Sequence, residues 1–187
     1  MIIPRGRRKI ESNQNASESS KSTRLNAIMG KLNKKDRQIL GELNGIARSS
    51  SGPDVTEIYS PPRVTQHASE FGLAGGWSLD LTTCDVDGRA WDFNQAEMRD
   101  RALKKIESDK PLVVIGSPMC TNFSTLMNAN WPKMDPRVAE ERWLNAIAHM
   151  NFCCKIYKIQ MDAGRYFIHE HPANATSWGL PSVAQIL

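Results

Sequence analysis

VVIGSPMCTNFSTL, residues 113–126, is the stretch on which the reading of the fold turns. An apolar run without polar alternation is the pattern of a strand buried on both faces, as parallel sheets require. The run ends at Gly116, and Ser117, Pro118, Met119 and Cys120 then lead into a polar loop with Phe123 and Ser124. Parallel sheets form their sites just beyond the carboxyl ends of the strands. A cysteine delivered there is a candidate for chemistry rather than for packing.

Working outward, residues 55–59 (VTEIY), 77–81 (WSLDL) and 166–168 (YFI) read as three further strands beside 112–115. Helical patterns separate them. Residues 64–71 form a short helix stopped by Gly72. Residues 94–107 form a helix capped by Asn94, with Glu97 three positions on as in a capping box. Asp135-Pro136 opens a long helix to about residue 163, closed by Gly164. Trp143, Ile147, Met150, Cys154, Tyr157 and Met161 recur along it at 4-3-4-3-4 spacing and are expected to face the core. Strands alternating with helices predict an α/β fold, a Rossmann-like, mostly parallel sheet with helices on both faces, over residues 54–187.

The residues before this domain differ in kind. Residues 1–50 hold 11 Lys/Arg against 4 Asp/Glu, whereas residues 51–187 hold 13 against 16, so the net charge of +4 belongs to the leader. Residues 1–24 are rich in Ser, Asn, Lys and Arg and are expected to be a disordered basic tail. Residues 25–48 place Leu25, Ile28, Leu32, Ile39, Leu40, Leu43 and Ile46 at helical spacing, an amphipathic segment interrupted near Gly30 and Asn33. SSSGP at 49–53 is a linker. A basic leader of this kind suits contact with nucleic-acid phosphates or a nuclear address.

No apolar window approaches the ~18 residues of a membrane span, and no apolar stretch follows the N-terminal charges as a secretory signal would need. Four cysteines (84, 120, 153 and 154) without a CxxC point to a reduced, intracellular setting.

The strand-end rule selects Glu57 with Ser60-Pro61-Pro62, Asp80, residues 117–124, and Glu170 with His171. An acid ending the second strand of a nucleotide-binding sheet can accept hydrogen bonds from ribose hydroxyls, which is the expectation for Asp80. Asp92 either receives an adenine amine or starts the next helix. Cys120 supplies a nucleophile, and Glu170 on another strand end a carboxylate able to hold a proton. His169 and His171 share one face of a strand and offer a rival metal-site reading, in which case Glu170 points away from both.

Gly116-Ser117-Pro118-Met119-Cys120-Thr121-Asn122-Phe123-Ser124 resembles the catalytic loop of DNA cytosine-5 methyltransferases. Residues 55–60 resemble the family's first strand, Leu79-Asp80 its ribose-binding acid, Trp91-Asp92 its adenine contact, and residues 167–172 its Glu-Asn-Val strand. The order agrees over residues 54–178. SPPRVT, GRAWDF and GRYFIHEHP also resemble segments of retroelement polyproteins of unicellular algae and other protists. The methyltransferase resemblance implies S-adenosylmethionine as cofactor, no metal, and DNA as partner. It implies that Cys120 adds to carbon 6 of a flipped cytosine while Glu170 holds the Watson–Crick edge. Glu57, Ser60, Asp80, Asp92, Ser117 and Pro118 would line the cofactor site.

The chain departs from that family where a glycine-rich loop is expected. Ser60-Pro61-Pro62-Arg63 has no glycine, and its two prolines lack an N–H donor. The family's target-recognition half is not in the sequence, so a C-terminal half or partner chain is expected to complete the fold. The alternative expectation is a degenerate, non-enzymatic domain that binds nucleic acid or a protein partner.

Overall fold

The structure, a computed structural model, describes residues 52–187. The expectations for residues 1–24 and 25–48, and most of the linker, lie outside the described residues. Four strands, β1 (Val55–Ile58), β2 (Gly75–Leu79), β3 (Val113–Gly116) and β4 (Tyr166–His169), form one sheet in the order β2-β1-β3-β4. Every pairing is parallel. The helices are α1 (Ala96–Asp109), α2 (Thr125–Asn130), α3 (Pro136–Asp162) and α4 (Pro181–Ala184). The α/β class expected from the alternation is the class observed.

The register assigns each residue to a face. Thr56, Ile58, Val114, Gly116, Phe167 and His169 lie on one side, with Leu79 opposite Ile58. On that side Ile58, Leu79 and Val114 pack against Met98, Ala102 and Ile106 of α1 and Phe152, Cys153, Ile156 and Tyr157 of α3. Both long helices therefore cover the same face. Among the described residues the opposite face is covered only by the 3-10 segment Thr65–Phe71, over β1 and β2. Expecting helices on both faces was too generous for this part of the chain. For the same reason β3 is buried at alternate positions rather than throughout.

Local signals were read correctly where they were steric. Asp135 caps α3, its carboxylate accepting from the amides of Arg137 and Val138, and Pro136 occupies the first turn. Gly72 and Gly164, at φ 74° and 68°, end the 3-10 segment and follow α3, in the left-handed region glycine adopts without a Cβ clash. Gly116 has a different reason to be glycine. A Cβ there would fall on Tyr157 Oη and Cys153 Sγ, so α3 rests directly on the β3 backbone.

Other expectations shift. Tyr59 leaves the strand at φ 58°, and β2 begins at Gly75 and ends before Asp80. Helix α1 is capped at Gln95 without a side-chain bond, not at Asn94. Glu97 is drawn outward by Arg89 and Arg101 instead of closing a capping box. Met161, the last residue of the expected core stripe, is 47% exposed, whereas Gln160 beside it is fully buried and donates to the carbonyls of Pro111 and Tyr166.

Candidate functional site

From β1 the chain crosses first to β2 on one side and then to β3 on the other, so the switch point of this sheet lies between β1 and β3. Ligands of open α/β sheets bind in the crevice outside the strand ends at such a point. A cleft of about 70 Å³ occurs here, lined by Tyr59, Asp80, Leu81, Trp91, Asp92, Phe93, Asn94, Met119 and His149. It gathers the exits of β1, β2 and β3 beside the middle of α3.

Two of its acids were expected. Asp80 Oδ1 accepts from the amide and hydroxyl of Thr82 at 2.9 and 2.8 Å, which turns the chain after β2 and holds the carboxylate at the mouth. Residues 84–90 then fold back through a bridge between Cys84 and Ala90. Arg89 and Arg101 clamp this excursion onto α1 through Asp85, Asp87 and Glu97. Hydrogen bonds from Arg89 hold the Asp87 and Glu97 carboxyls down at about 2. The clamp fixes where Trp91 and Asp92 emerge.

Asp92 accepts from the Asn94 amide, from Asn94 Nδ2 at 2.9 Å and from Gln95 Nε2. These bonds, the Asn94 backbone amide first, lower its pKa below the ordinary carboxyl value.

Tyr59, Asn94 and His149 were not expected at the site. Asn94 Nδ2 donates to Asp92, so Asn94 Oδ1 is the acceptor that faces His149 Nε2 at 3.0 Å. Asn145 Nδ2 donates to the same oxygen at 2.8 Å. His149 Nε2 must therefore carry the proton, leaving Nδ1 to accept from Tyr59 Oη at 2.9 Å. Burial, then the Arg99 charge, lowers the His149 pKa and keeps the ring neutral. Burial likewise raises that of Tyr59. The one signal in the sequence was a histidine set one helical turn from Ala146, Phe152 and Cys153 on a long helix.

Glu57 and Ser60 are not at the mouth. Glu57 is 1% exposed. It accepts from the consecutive amides of Arg63, Val64 and Thr65 at 3.1, 3.0 and 2.8 Å and from the hydroxyls of Ser60 and Thr65 at 3.0 and 2.8 Å. Burial raises its pKa, but these bonds outweigh it and the net shift is downward. The carboxylate thus occupies the amide cradle that an anionic ligand would use. The glycine-free loop is organised by the protein's own anion.

Ser117 continues the ladder by donating its amide to the Ile58 carbonyl at 3.1 Å, and Pro118 is buried behind it. Cys120 is half-buried, at the start of the three-residue 3-10 turn Thr121–Phe123. The helix beyond it, α2, is capped by Ser124, whose Oγ accepts from Met127, so the helix start expected to act on Cys120 lies further along the chain. Fully buried Phe123 anchors the loop among Ala146, Met150, Cys154 and Val183, with Trp143 packed alongside.

Glu170 is exposed, and its amide donates to the Gly116 carbonyl at 2.9 Å, which joins the two loops at their roots. No hydrogen bond joins Cys120 to Glu170 among the described residues, and neither lines the cleft.

The histidines flanking Glu170 turn the other way. His169 and His171 stack with centroids 5.2 Å apart, enclosed by Trp178, Phe123 and Tyr157. Burial, then the His171 charge, lowers the His169 pKa to about 4, and burial lowers that of His171. Their shared face is as expected, but among the described residues no three His, Cys, Asp or Glu side chains converge to hold a metal ion. No described helix is long and apolar enough to cross a membrane. No protein-family model matches this chain, and no curated protein or solved structure matches it.

Proposed function

We propose that this chain is a Rossmann-like, methyltransferase-type domain of the DNA cytosine-5 kind, with the cleft between Asp80 and Asp92 as its nucleoside seat and Cys120 as nucleophile. The observation that carries the reading is the convergence of Asp80, Asp92 and Met119 on one cleft at the switch point, with Cys120 following on the same loop as Met119.

The donor set suits adenosine. Asp80 can take ribose hydroxyls, Asp92 an exocyclic amine, and Trp91, Phe93 and Tyr59 supply aromatic surface. The space does not suit the whole cofactor. About 70 Å³ falls well short of the ~300 Å³ and upward of ordinary ligand pockets, and the loop amides at 63–65 are already bound to Glu57. Of S-adenosylmethionine the residues here would seat the nucleoside end, with Cys120 offering a thiol to carbon 6 and Glu170 a carboxylate to the base edge. In the intracellular setting inferred from the sequence, the partner would be DNA.

The occupied amide cradle and the small cleft favour a second reading, a non-enzymatic domain of the retroelement kind that keeps the sheet and binds nucleic acid or protein. One experiment separates the two. The full chain is incubated with S-adenosylmethionine and DNA containing 5-fluorocytosine, which traps a covalent adduct at the attacking thiol. An adduct lost in Cys120→Ser supports the catalytic reading. No adduct, together with no calorimetric binding of S-adenosylmethionine in the millimolar range, overturns it and leaves the binding domain.

A further inference from the structure

Exposed Met161 stands in a groove between α3 and α4 that shares no residue with the cleft. Its volume of about 330 Å³ lies within the ~300–1,000 Å³ of ordinary ligand pockets. Lys155, Lys158 and Met161 line one wall, three residues apart and so on one side of α3. Ser182, Gln185 and Ile186 line the other. Val183 fastens α4 beside Met150 and Cys154. The Lys, Ser and Gln side chains cannot close the rest of the seam without burying polar groups.

The groove is polar at one end and apolar at the other. Ser182 Oγ is buried next to the Cys154 thiol, a weak partner, and makes no ordinary hydrogen bond. Lys155 follows Cys154 in the chain and has no ion pair among the described residues, whereas Lys158 holds Asp162 at 3.0 Å. Met161 lies six residues further along α3, about 9 Å at 1.5 Å per residue. The two walls run the same way. Val183 packs with Met150 and Cys154, and Ile186 also reaches the cluster of Ile156 and Tyr157.

We propose that this groove binds a medium-chain fatty-acid anion, with its carboxylate between Lys155 and Ser182 and its alkyl chain along Met161 and Ile186. A carboxylate oxygen supplies the acceptor that the buried Ser182 hydroxyl lacks. Charge alone does not hold such a ligand, because an exposed ion pair contributes little. The alkyl chain supplies the rest by leaving water, and the flexible thioether of Met161 adapts to it.

Calorimetry on the full chain with decanoate, kept below its micellar concentration, tests this. Decanol has the chain without the charge and acetate the charge without the chain, and each should bind at least about tenfold more weakly than decanoate. Lys155→Gln should weaken decanoate about tenfold and leave decanol unchanged. Gln185→Trp, which fills the groove from an exposed position, should abolish both, with an unchanged thermal midpoint to show that the fold survives. Equal affinity for decanoate and decanol would overturn the proposal, since the groove would then only adsorb apolar chains. So would the absence of heat at millimolar decanoate, or binding that neither variant moves. Co-sedimentation with anionic phospholipid vesicles that Gln185→Trp removes would also overturn it, because a lipid surface would then be the ligand.

Discussion

Tyr59 Oη lies 2.9 Å from His149 Nδ1, joining the exit of β1 to the middle of α3 across 90 residues of chain. The bond is one link in a line from Asp92 through Asn94 and His149 to Tyr59, and each link fixes the orientation of the next. The cleft therefore has one rigid wall. That wall makes the first prediction.

Tyr59→Phe removes the hydroxyl that, among the described residues, reaches His149 Nδ1, and leaves a buried acceptor unpaired. The expected cost is about 1–2 kcal/mol, read as a lower urea midpoint at unchanged slope. A variant as stable as the parent would mean that a water replaces the hydroxyl.

Glu57→Gln keeps the size of the side chain but cannot accept from three amides and the hydroxyls of Ser60, Thr65 and Ser78 at once. The expected loss is about 3 kcal/mol at neutral pH. The folded carboxyl titrates below its ordinary value of 4.5, so its contribution is present above pH 4.5 and lost as pH falls through the folded value. The difference in urea midpoint between parent and variant should accordingly shrink under acid conditions.

Stability should also fall as pH is lowered from about 6.5 toward 4. His149, His169 and His171 are all held neutral in the fold, with His169 at about 4 against an ordinary 6.5. Below 6.5 the unfolded chain binds protons that the folded chain refuses, so the unfolded state carries more bound protons and stability rises with pH across this window. His169→Asn should flatten thermal midpoint against pH between 4 and 6.5. An unchanged slope would show that His169 is protonated in the fold.

Gly116→Ala should destabilise by about 2–3 kcal/mol, because its methyl meets Tyr157 and Cys153 where α3 rests on β3. Thermal melting of the variant checks this. Recovery on adding Tyr157→Phe, which removes the nearest atom, would assign the cost to that contact.

Asp80→Asn tests the proposed nucleoside seat. A carboxylate that accepts from ribose should, when replaced by the amide, weaken S-adenosylmethionine or adenosine binding about tenfold, or about 1.4 kcal/mol. Calorimetry reads this directly, with the thermal midpoint as the control for folding.

The sequence by itself determined the elements and their order. Alternating apolar runs and helical periods, Asp135-Pro136 opening a helix, and Gly72 and Gly164 ending two segments are local features. They act through sterics and backbone conformation within a few residues of chain. The sequence also brought Asp80, Asp92, Met119 and Cys120 to strand ends and loops, because a parallel sheet leaves its exits on one side. Only the tertiary structure decided what those groups do. Glu57 and Ser60, expected at the mouth, turn inward because three amides that leave β1 need an acceptor, and a buried carboxylate is the nearest anion. Asn94, expected to cap a helix, instead orients His149, 55 residues away. The covering of one sheet face and the place of Tyr59 in the cleft wall follow from the same cause. Hydrogen-bond and packing partners are chosen among segments distant in sequence, and no local pattern records which of them will meet.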